Sequence, residues 1–182
     1  MSIANSLISA AEFAALPDPG HPQELVRGVV VNMPPPKFRH GKICARITTL
    51  LSVFVDQKRL GHVLGNDSGV LTHQAPDSVR GPDVTFVSFA KLPADANPEY
   101  LTVPPDAIFE VVSPSDRWSD LLRKVSEYLL MDVPVVYVVD PAAERVHCYF
   151  SDRPEVILTK DEELAGVGPL AEFRVAVAKL FE

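Results

Sequence analysis

The sequence has few cysteines and no long apolar segment. Cys44 and Cys148 are the only cysteines among 182 residues, and their wide separation fits no metal-binding motif. This excludes a disulfide-stabilised secreted scaffold and favours a reducing, cytoplasmic location. No apolar run reaches the roughly 18 residues that a membrane helix needs, and the first residues lack a basic start followed by an apolar core. We therefore expect neither a membrane span nor a signal peptide.

The sequence also lacks an overall basic charge. Lys and Arg number 17 against 24 Asp and Glu, which gives a net charge of −7, so the chain as a whole does not attract DNA. Residues 1–60 nevertheless carry seven basic and four acidic residues. This local excess fits two alternatives: phosphate contacts through Lys42 and Arg46, or an ordinary solvated helix face.

Two common catalytic motifs are missing as well. There is no glycine-rich phosphate loop of the P-loop or Rossmann type, and no Gly-x-Ser-x-Gly elbow of a serine hydrolase. The short segment Ser113-Pro-Ser115 is therefore interpreted as a turn that begins a helix.

The sequence does contain the pattern of a mixed α/β fold. Apolar residues make up 47% of the chain, enough for a substantial core, and the length fits a single domain over residues 1–182. Apolar spacings of three and four predict helices at about 38–60 and 119–131. Short apolar runs predict strands, among them about 84–88, 107–112 and 135–139. We expect a mixed β-sheet flanked by helices, with an N-terminal hairpin at 23–33 and a C-terminal β extension. This extension comprises a closing hairpin at about 145–158 and one more short strand in the tail.

Two acids interrupt the apolar strands. Glu110 shares one face of its strand with Ile108 and Val112, and Asp83 stands directly before the strand at 84–88. A buried, unpaired carboxylate costs several kcal/mol, so each acid needs a cation, a proton or a hydrogen-bond partner. Carboxylates on neighbouring strands are able to share a divalent ion, because Mg²⁺ prefers oxygen ligands.

Lys124 lies at the border of the apolar face of the second helix. Its long stem is able to run along the sheet and bring the ammonium group to the carboxylates. The alternative is a lysine on the solvent-exposed surface of the helix.

Five short blocks occur in a fixed order along the chain. They are Glu24–Met33 followed by His40, Gly81–Val84, Phe109–Asp116, the set Asp120, Lys124 and Tyr128, and Tyr137–Pro141. Together they resemble the Uma-type putative restriction endonuclease family, a bacterial branch of the PD-(D/E)XK nuclease superfamily. The similarity spans about residues 10–181 and implies a restriction-endonuclease-like core. In the superfamily motif the lysine stands two positions after the acid, where this chain has Val112, and the resemblance implies that Lys124 takes its place.

The resemblance implies a metal-assisted mechanism. Asp83 and Glu110 would bind Mg²⁺ or Mn²⁺, the backbone carbonyl of Val111 would complete the site, and Lys124 would orient the attacking water. Two accessory roles are also implied. Glu24 adds a further acid or is merely an acid at a strand edge, and His40 contacts phosphate or water or is merely a polar residue at a helix start.

We therefore expect a metal-dependent endonuclease that hydrolyses phosphodiester bonds of DNA. Restriction-type cleavage of a duplex usually uses two active sites, so a homodimer is expected. The alternative is a catalytically silent module that keeps the nuclease fold and binds nucleic acid or protein. The presence of Asp83, Glu110 and Lys124 together favours the enzyme.

Overall fold

The computed structural model describes residues 7–182, so the signal-peptide expectation falls partly on residues outside the described range. The helices are α1 (Ala10–Ala14), α2 (Phe38–Lys58), α3 (Trp118–Leu130) and α4 (Ala178–Phe181). The first seven strands are β1 (Gln23–Val26), β2 (Val29–Asn32), β3 (Gly61–Gly65), β4 (Val70–His73), β5 (Ser78–Arg80), β6 (Val84–Ser88) and β7 (Ala107–Val111). The remaining strands are β8 (Val135–Asp140), β9 (Arg145–Phe150), β10 (Val156–Thr159), β11 (Glu163–Ala165) and β12 (Arg174–Ala176).

A six-stranded mixed sheet forms the centre of the fold. Its strand order is β10-β9-β8-β7-β6-β3. Strands β7 and β8 are parallel and are joined by α3, whereas the other neighbours in this sheet are antiparallel. A parallel pair needs a crossover connection, and α3 is that crossover. The predicted mixed α/β class is confirmed.

The two faces of β7 bury different halves of the core. Ala107, Phe109 and Val111 pack in the cluster that contains the buried face of α2. Ile108 packs on the other side, with Leu121, Val125 and Tyr128 of α3 among its neighbours in the second cluster. Because side chains alternate along a strand, Glu110 shares the α3 side with Ile108. The strand alternation thus directs Glu110 towards α3.

Helix α2 covers the opposite side of the sheet. Its buried residues recur every four positions. They are Ile43, Ile47, Leu51 and Val55. Since four residues make slightly more than one turn, these side chains form one continuous apolar stripe against the sheet. His40 and Cys44 lie one turn apart at the N-terminal end of the helix, and Cys44 stands one position after Ile43, the first member of this series.

A second, four-stranded sheet carries the N-terminal hairpin. Its order is β2-β1-β5-β4. The hairpin turns at Arg27 and Gly28, which both have positive φ values of 51° and 79°. Positive φ at both central positions is the signature of a type I′ turn, whose twist matches the flanking strands and which favours glycine. Strand β5, which the sequence analysis did not identify, links this hairpin to the segment that leads into Asp83.

The C-terminal extension forms a two-stranded sheet of β11 and β12. Only one of these two strands was expected from the sequence. Its apolar residues, including Leu164 and Val175, join the cluster on the α2 side. No described helix is both long and apolar enough to cross a membrane.

Candidate active site

Glu110 occupies a buried position on β7 and is held by two side chains of α3. Only 5% of its surface is exposed. The Nζ atom of Lys124 lies 2.9 Å from Oε1 and 3.0 Å from Oε2 of Glu110. The hydroxyl of Tyr128 donates a hydrogen bond of 2.8 Å to Oε1. The carboxylate therefore has the partners that its burial demands.

Lys124 faces the sheet rather than solvent. Besides Glu110, its ammonium group contacts Oε1 of Glu24 at 3.1 Å and the carbonyl oxygen of Gly81 at 3.4 Å. Its neighbours Leu121, Val125 and Tyr128 on α3 are buried, which anchors this face of the helix. The alternative of a surface lysine is therefore wrong.

Glu24 and Arg80 extend the ion pair into a buried network. Arg80 donates from Nη1 to Oε2 of Glu24 at 2.9 Å. It also forms a bidentate pair with Glu127 of α3, donating hydrogen bonds of 2.7 Å from Nε and 2.6 Å from Nη2. Glu24 and Arg80 expose only 4% and 6% of their surfaces. Such bidentate pairs have a defined geometry, so the network ties β1, β5 and α3 together around Lys124.

Asp83 lies between α2 and the end of β7. Its Oδ2 accepts a hydrogen bond of 2.6 Å from the backbone N–H of Val111, the residue after Glu110. Its Oδ1 lies 3.2 Å from Nε2 of His40. The Nδ1 atom of the same histidine is 3.4 Å from Sγ of Cys44. His40, Cys44 and Asp83 thus form a group in which one donor atom from each residue lies within 4.8 Å of the others.

A close backbone approach shapes the segment before Asp83. A Cβ atom on Gly81 would lie 2.8 Å from Cβ of Asp67, closer than real Cβ atoms come, so this position requires glycine. The N–H of Gly81 donates to Oε1 of Glu24 at 3.1 Å. Gly81 therefore binds Glu24 through its N–H and Lys124 through its carbonyl, which connects the buried network to Asp83.

Five of the residues singled out in the sequence are brought together here. Contacts join Lys124 to Glu110 and Glu24, and join Asp83 to His40 and to the residue that follows Glu110. Val111 touches Asp83 through its N–H, while the role expected of its carbonyl stays a prediction. The catalytic roles of the other residues also stay predictions.

Comparison with known proteins identifies the family. The Uma2 family model, described as "Putative restriction endonuclease", matches residues 10–178. The chain belongs to the Uma2 family. The family that the five sequence blocks predicted is therefore confirmed.

One solved structure shares the fold of this Uma2 chain across nearly its whole length. It is described as a putative nuclease belonging to DUF820 from Anabaena variabilis ATCC 29413, and it matches with a TM-score of 0.83 at 18% sequence identity. The match covers 96% of this chain and 97% of that chain. The restriction-endonuclease-like core predicted from the sequence is thus confirmed as a fold. The comparison with curated proteins found no match.

The site of this Uma2 chain has an excess of negative charge. Its ion pairs join four carboxylates to two permanent cations and to one histidine, His40, which contacts Asp83. The carboxylates are Asp83, Glu24, Glu110 and Glu127, and the cations are Lys124 and Arg80. Oxygen donors in negative excess are the environment that hard divalent cations prefer. The carboxylates of Asp83 and Glu110 are donors of this type, and the binding of Mg²⁺ or Mn²⁺ between them stays a prediction.

The pKa of Glu110 reflects its burial and the charges around it. Burial raises the pKa of Glu110 to about 7, the charge of Asp83 adds to the rise, and Lys124 opposes it. Burial also raises the pKa of Glu24, but the charges of Lys124 and Arg80 outweigh it and leave that pKa below its usual value. A carboxyl that resists ionisation beside another carboxylate marks a position that a cation would stabilise.

Lys124 and His40 both favour their charged forms. Burial alone would lower the pKa of Lys124, but Glu110 and Glu24 raise it above its ordinary value. The hydrogen bond to Asp83 raises the pKa of His40, against the effect of burial. Lys124 thus stays protonated at neutral pH, which suits a group that binds negative charge and not a general base.

The two residues expected to contact DNA lie away from this site. Two residues along a helix correspond to a rotation of about 200°, so Lys42 points away from the side of α2 that carries His40 and Cys44. Lys42 is exposed and Arg46 is half-buried. The structure does not bring either residue to Asp83 or Glu110, and their contact with DNA stays a prediction.

Sequence reasoning missed several members of the site. Arg80, Glu127 and Cys44 had no assigned role. Tyr128 lies in the core, and its hydrogen bond to Glu110 was not predicted. Arg80 stands three positions before Asp83, between Val79 and Gly81, and this short segment has no apolar pattern that would mark the arginine as buried. Nothing in the sequence spacing points to Glu127 as its partner.

Proposed function

We propose that this Uma2-family chain is a metal-dependent endonuclease that hydrolyses phosphodiester bonds of DNA. Its catalytic residues are Asp83, Glu110 and Lys124. The observation that carries the proposal is the Lys124 ammonium, which contacts the buried carboxylates of Glu24 and Glu110 next to the segment that bears Asp83. A purely structural core gains nothing from this arrangement, because a buried ion pair is often no more stable than a well-packed apolar one.

The metal would be held by Asp83 and Glu110, with the carbonyl of Val111 as a further ligand. A bound Mg²⁺ or Mn²⁺ would lower the pKa of a coordinated water and polarise the phosphate. The backbone N–H of Val111 fixes Oδ2 of Asp83, which orients the carboxylate before any ion arrives. The short bond to Tyr128 orients Glu110 in the same way.

Lys124 would orient the attacking water and stabilise the negative charge that develops on the phosphate oxygens. It is suited to this because it stays protonated and because Glu24 and Glu110 hold its ammonium group in place. Glu24 acts here as a positioning residue, since its contact is with Lys124. His40, whose charged form Asp83 favours, would donate a hydrogen bond to a phosphate oxygen or to water.

The partners follow from this chemistry. DNA is the proposed substrate, and Lys42 and Arg46 on α2 would add phosphate contacts that do not depend on sequence. Cleavage of both strands of a duplex is served by two sites, so we include a homodimer in the proposal. A cytoplasmic location is included because Cys44 and Cys148 are both free thiols.

The test is a cleavage assay on purified protein with supercoiled, linear duplex and single-stranded DNA, with RNA as a further substrate. Each reaction is run with Mg²⁺, with Mn²⁺ and with a chelator, beside an Asp83→Ala control purified in the same way. We expect metal-dependent cleavage of DNA by the parent and none by the control. If the parent cleaves nothing but still binds DNA, the chain is a silent nuclease-fold module and the proposal is wrong.

A further inference from the structure

His40, Cys44 and Asp83 offer a ligand set that the proposed Mg²⁺ chemistry does not use. An imidazole, a thiol and a carboxylate are poor partners for Mg²⁺ as a group, because Mg²⁺ selects oxygen ligands. They are three of the ligand types that hold Zn²⁺ in proteins. We propose that these residues form a site for a thiophilic divalent ion, Zn²⁺ above all, and that the ion competes with Mg²⁺ for Asp83. The competition rests on the proposed function, whereas the binding of Zn²⁺ does not.

The three side chains lie near the spacing of a tetrahedral zinc site. With Zn–S bonds near 2.3 Å and Zn–N and Zn–O bonds near 2.0–2.2 Å, neighbouring ligand atoms lie roughly 3.3–3.6 Å apart. Nε2 of His40 lies 3.2 Å from Oδ1 of Asp83, and the other ring nitrogen, Nδ1, lies 3.4 Å from Sγ of Cys44. Since one nitrogen binds one ion, the imidazole has to turn towards one of its two neighbours. One donor atom from each residue lies within 4.8 Å of the others, so small side-chain rotations bring all three to one ion.

The backbone already holds the ligands in place. His40 and Cys44 are separated by one turn of α2, which puts both side chains on the same face of a long helix. Asp83 is fixed by the N–H of Val111 on Oδ2, which leaves Oδ1 directed at His40. An outer hydrogen bond of this kind orients metal ligands and strengthens binding. Three protein ligands leave the fourth position of a tetrahedral ion to water.

The affinity order of divalent ions favours displacement of Mg²⁺. Nitrogen and sulfur donors bind late transition ions such as Zn²⁺ far more tightly than they bind Mg²⁺. Asp83 is a ligand of both the proposed Mg²⁺ site and the proposed Zn²⁺ site. A Zn²⁺ ion bound by Cys44, His40 and Asp83 therefore removes one ligand from the Mg²⁺ site at Glu110. Zn²⁺ is therefore expected to inhibit Mg²⁺-dependent cleavage rather than support it.

The binding of Co²⁺ tests the proposed zinc site directly and does not require DNA. Co²⁺ replaces Zn²⁺ in such sites, and a cobalt–thiolate bond gives a charge-transfer band in the near ultraviolet. Metal-free parent protein is titrated with Co²⁺ and then with Zn²⁺, beside Cys44→Ser and a Cys148→Ser control. Cys148 is the control because it is the other free thiol and lies on β9; it is buried, whereas Cys44 is half-buried. Circular dichroism checks that each variant is folded.

We expect the charge-transfer band of the parent and of Cys148→Ser to saturate at one Co²⁺ per protein. One equivalent of Zn²⁺ should abolish this band, and Cys44→Ser should not show it. Zn²⁺ affinity, measured by competition with a chromophoric chelator, should fall at least tenfold in Cys44→Ser and in His40→Ala. Absence of the band in the folded parent overturns the zinc site, even if the protein cleaves DNA with Mg²⁺. A band in a protein that cleaves nothing supports the zinc site and contradicts the proposed function. Where cleavage is seen, Zn²⁺ should inhibit the parent more than Cys44→Ser, each relative to its own zinc-free rate.

Discussion

The Nζ atom of Lys124 lies 2.9 Å from Oε1 of Glu110, although the lysine stands on α3 and the acid on β7. The superfamily motif places the lysine two positions after the acid, on the same strand, but that position holds Val112 here. The crossover helix supplies the cation instead, from the face that packs on the sheet. An ammonium group acts through its position in space, so the change of element leaves the chemistry available.

The first prediction concerns this lysine. Lys124→Ala and Lys124→Gln should each lower the cleavage rate by about 10²–10³-fold, because the positioned water and the stabilisation of developing charge are lost together. Rates are measured under saturating DNA, with melting temperatures recorded for both variants. Lys179→Ala, an exposed lysine of α4 paired with Glu182, is the control and should cleave like the parent. Parental cleavage by folded Lys124→Gln would remove the lysine from the mechanism.

Much of the site was predictable because it follows from local periodicity. Glu110 stands out on an apolar strand with period two, and the three- and four-residue spacing of α3 puts Lys124 at the edge of the buried face. Both patterns are local, so they are detectable in the sequence without knowledge of the fold. The family resemblance then connected two segments that periodicity alone leaves separate.

The rest depended on contacts between distant segments. Strand β5 is three residues long, too short to establish a period, and it is defined by its pairing with β1 and β4. The fork between Arg80 and Glu127 joins residues 47 positions apart. Neither contact leaves a spacing signal in the sequence. The second C-terminal strand was missed for the same reason, because β11 and β12 are only three residues each.

A second prediction concerns stability and Glu24. Glu24→Gln should destabilise the protein by about 2–3 kcal/mol at neutral pH, because the charge-assisted bonds to Arg80 and Lys124 are weakened. The pKa of Glu24 is lowered in the folded state, so its contribution is present above the unfolded pKa and is lost as pH falls through the folded value. The difference in free energy of unfolding between the parent and Glu24→Gln should therefore narrow below about pH 4.5. Urea unfolding at pH 7 and pH 4 measures this difference. A difference that does not change with pH would contradict the ion pairing assigned to Glu24.

A third prediction links metal to stability. The pKa of Glu110 is raised to about 7, so its stabilising contribution is present below the unfolded pKa and is lost as pH rises through 7. Above that pH the metal-free protein holds two like charges together, and Mg²⁺ should relieve the repulsion. At ten times its dissociation constant the ion stabilises by about 1.4 kcal/mol, or about 3–6 °C in melting temperature. The shift should be larger at pH 8 than at pH 6 and absent in Asp83→Asn, whereas equal melting curves with and without Mg²⁺ at pH 8 would argue against the site.

A fourth prediction separates DNA binding from chemistry. Lys42→Ala and Arg46→Ala should weaken DNA binding and reduce the slope of log affinity against log salt by about 0.9 for each lost phosphate contact. Cleavage at saturating DNA should stay at the parental rate, because neither side chain lies at the carboxylates. Fluorescence anisotropy at several salt concentrations measures the slope, with Lys179→Ala as control. Unchanged slopes in both variants would show that this face of α2 is merely solvated.

The central claim is that Asp83 and Glu110 serve the chemistry by binding a metal ion. Its most direct measurement compares cleavage and DNA affinity for Asp83→Asn and Glu110→Gln, which keep the shape of each side chain and remove its charge. We predict that both variants lose Mg²⁺-dependent cleavage while binding DNA as tightly as the parent or more tightly, since a charge that repels phosphate has been removed. Parental cleavage rates in both folded variants would contradict the account, because the two carboxylates would then have no part in the reaction.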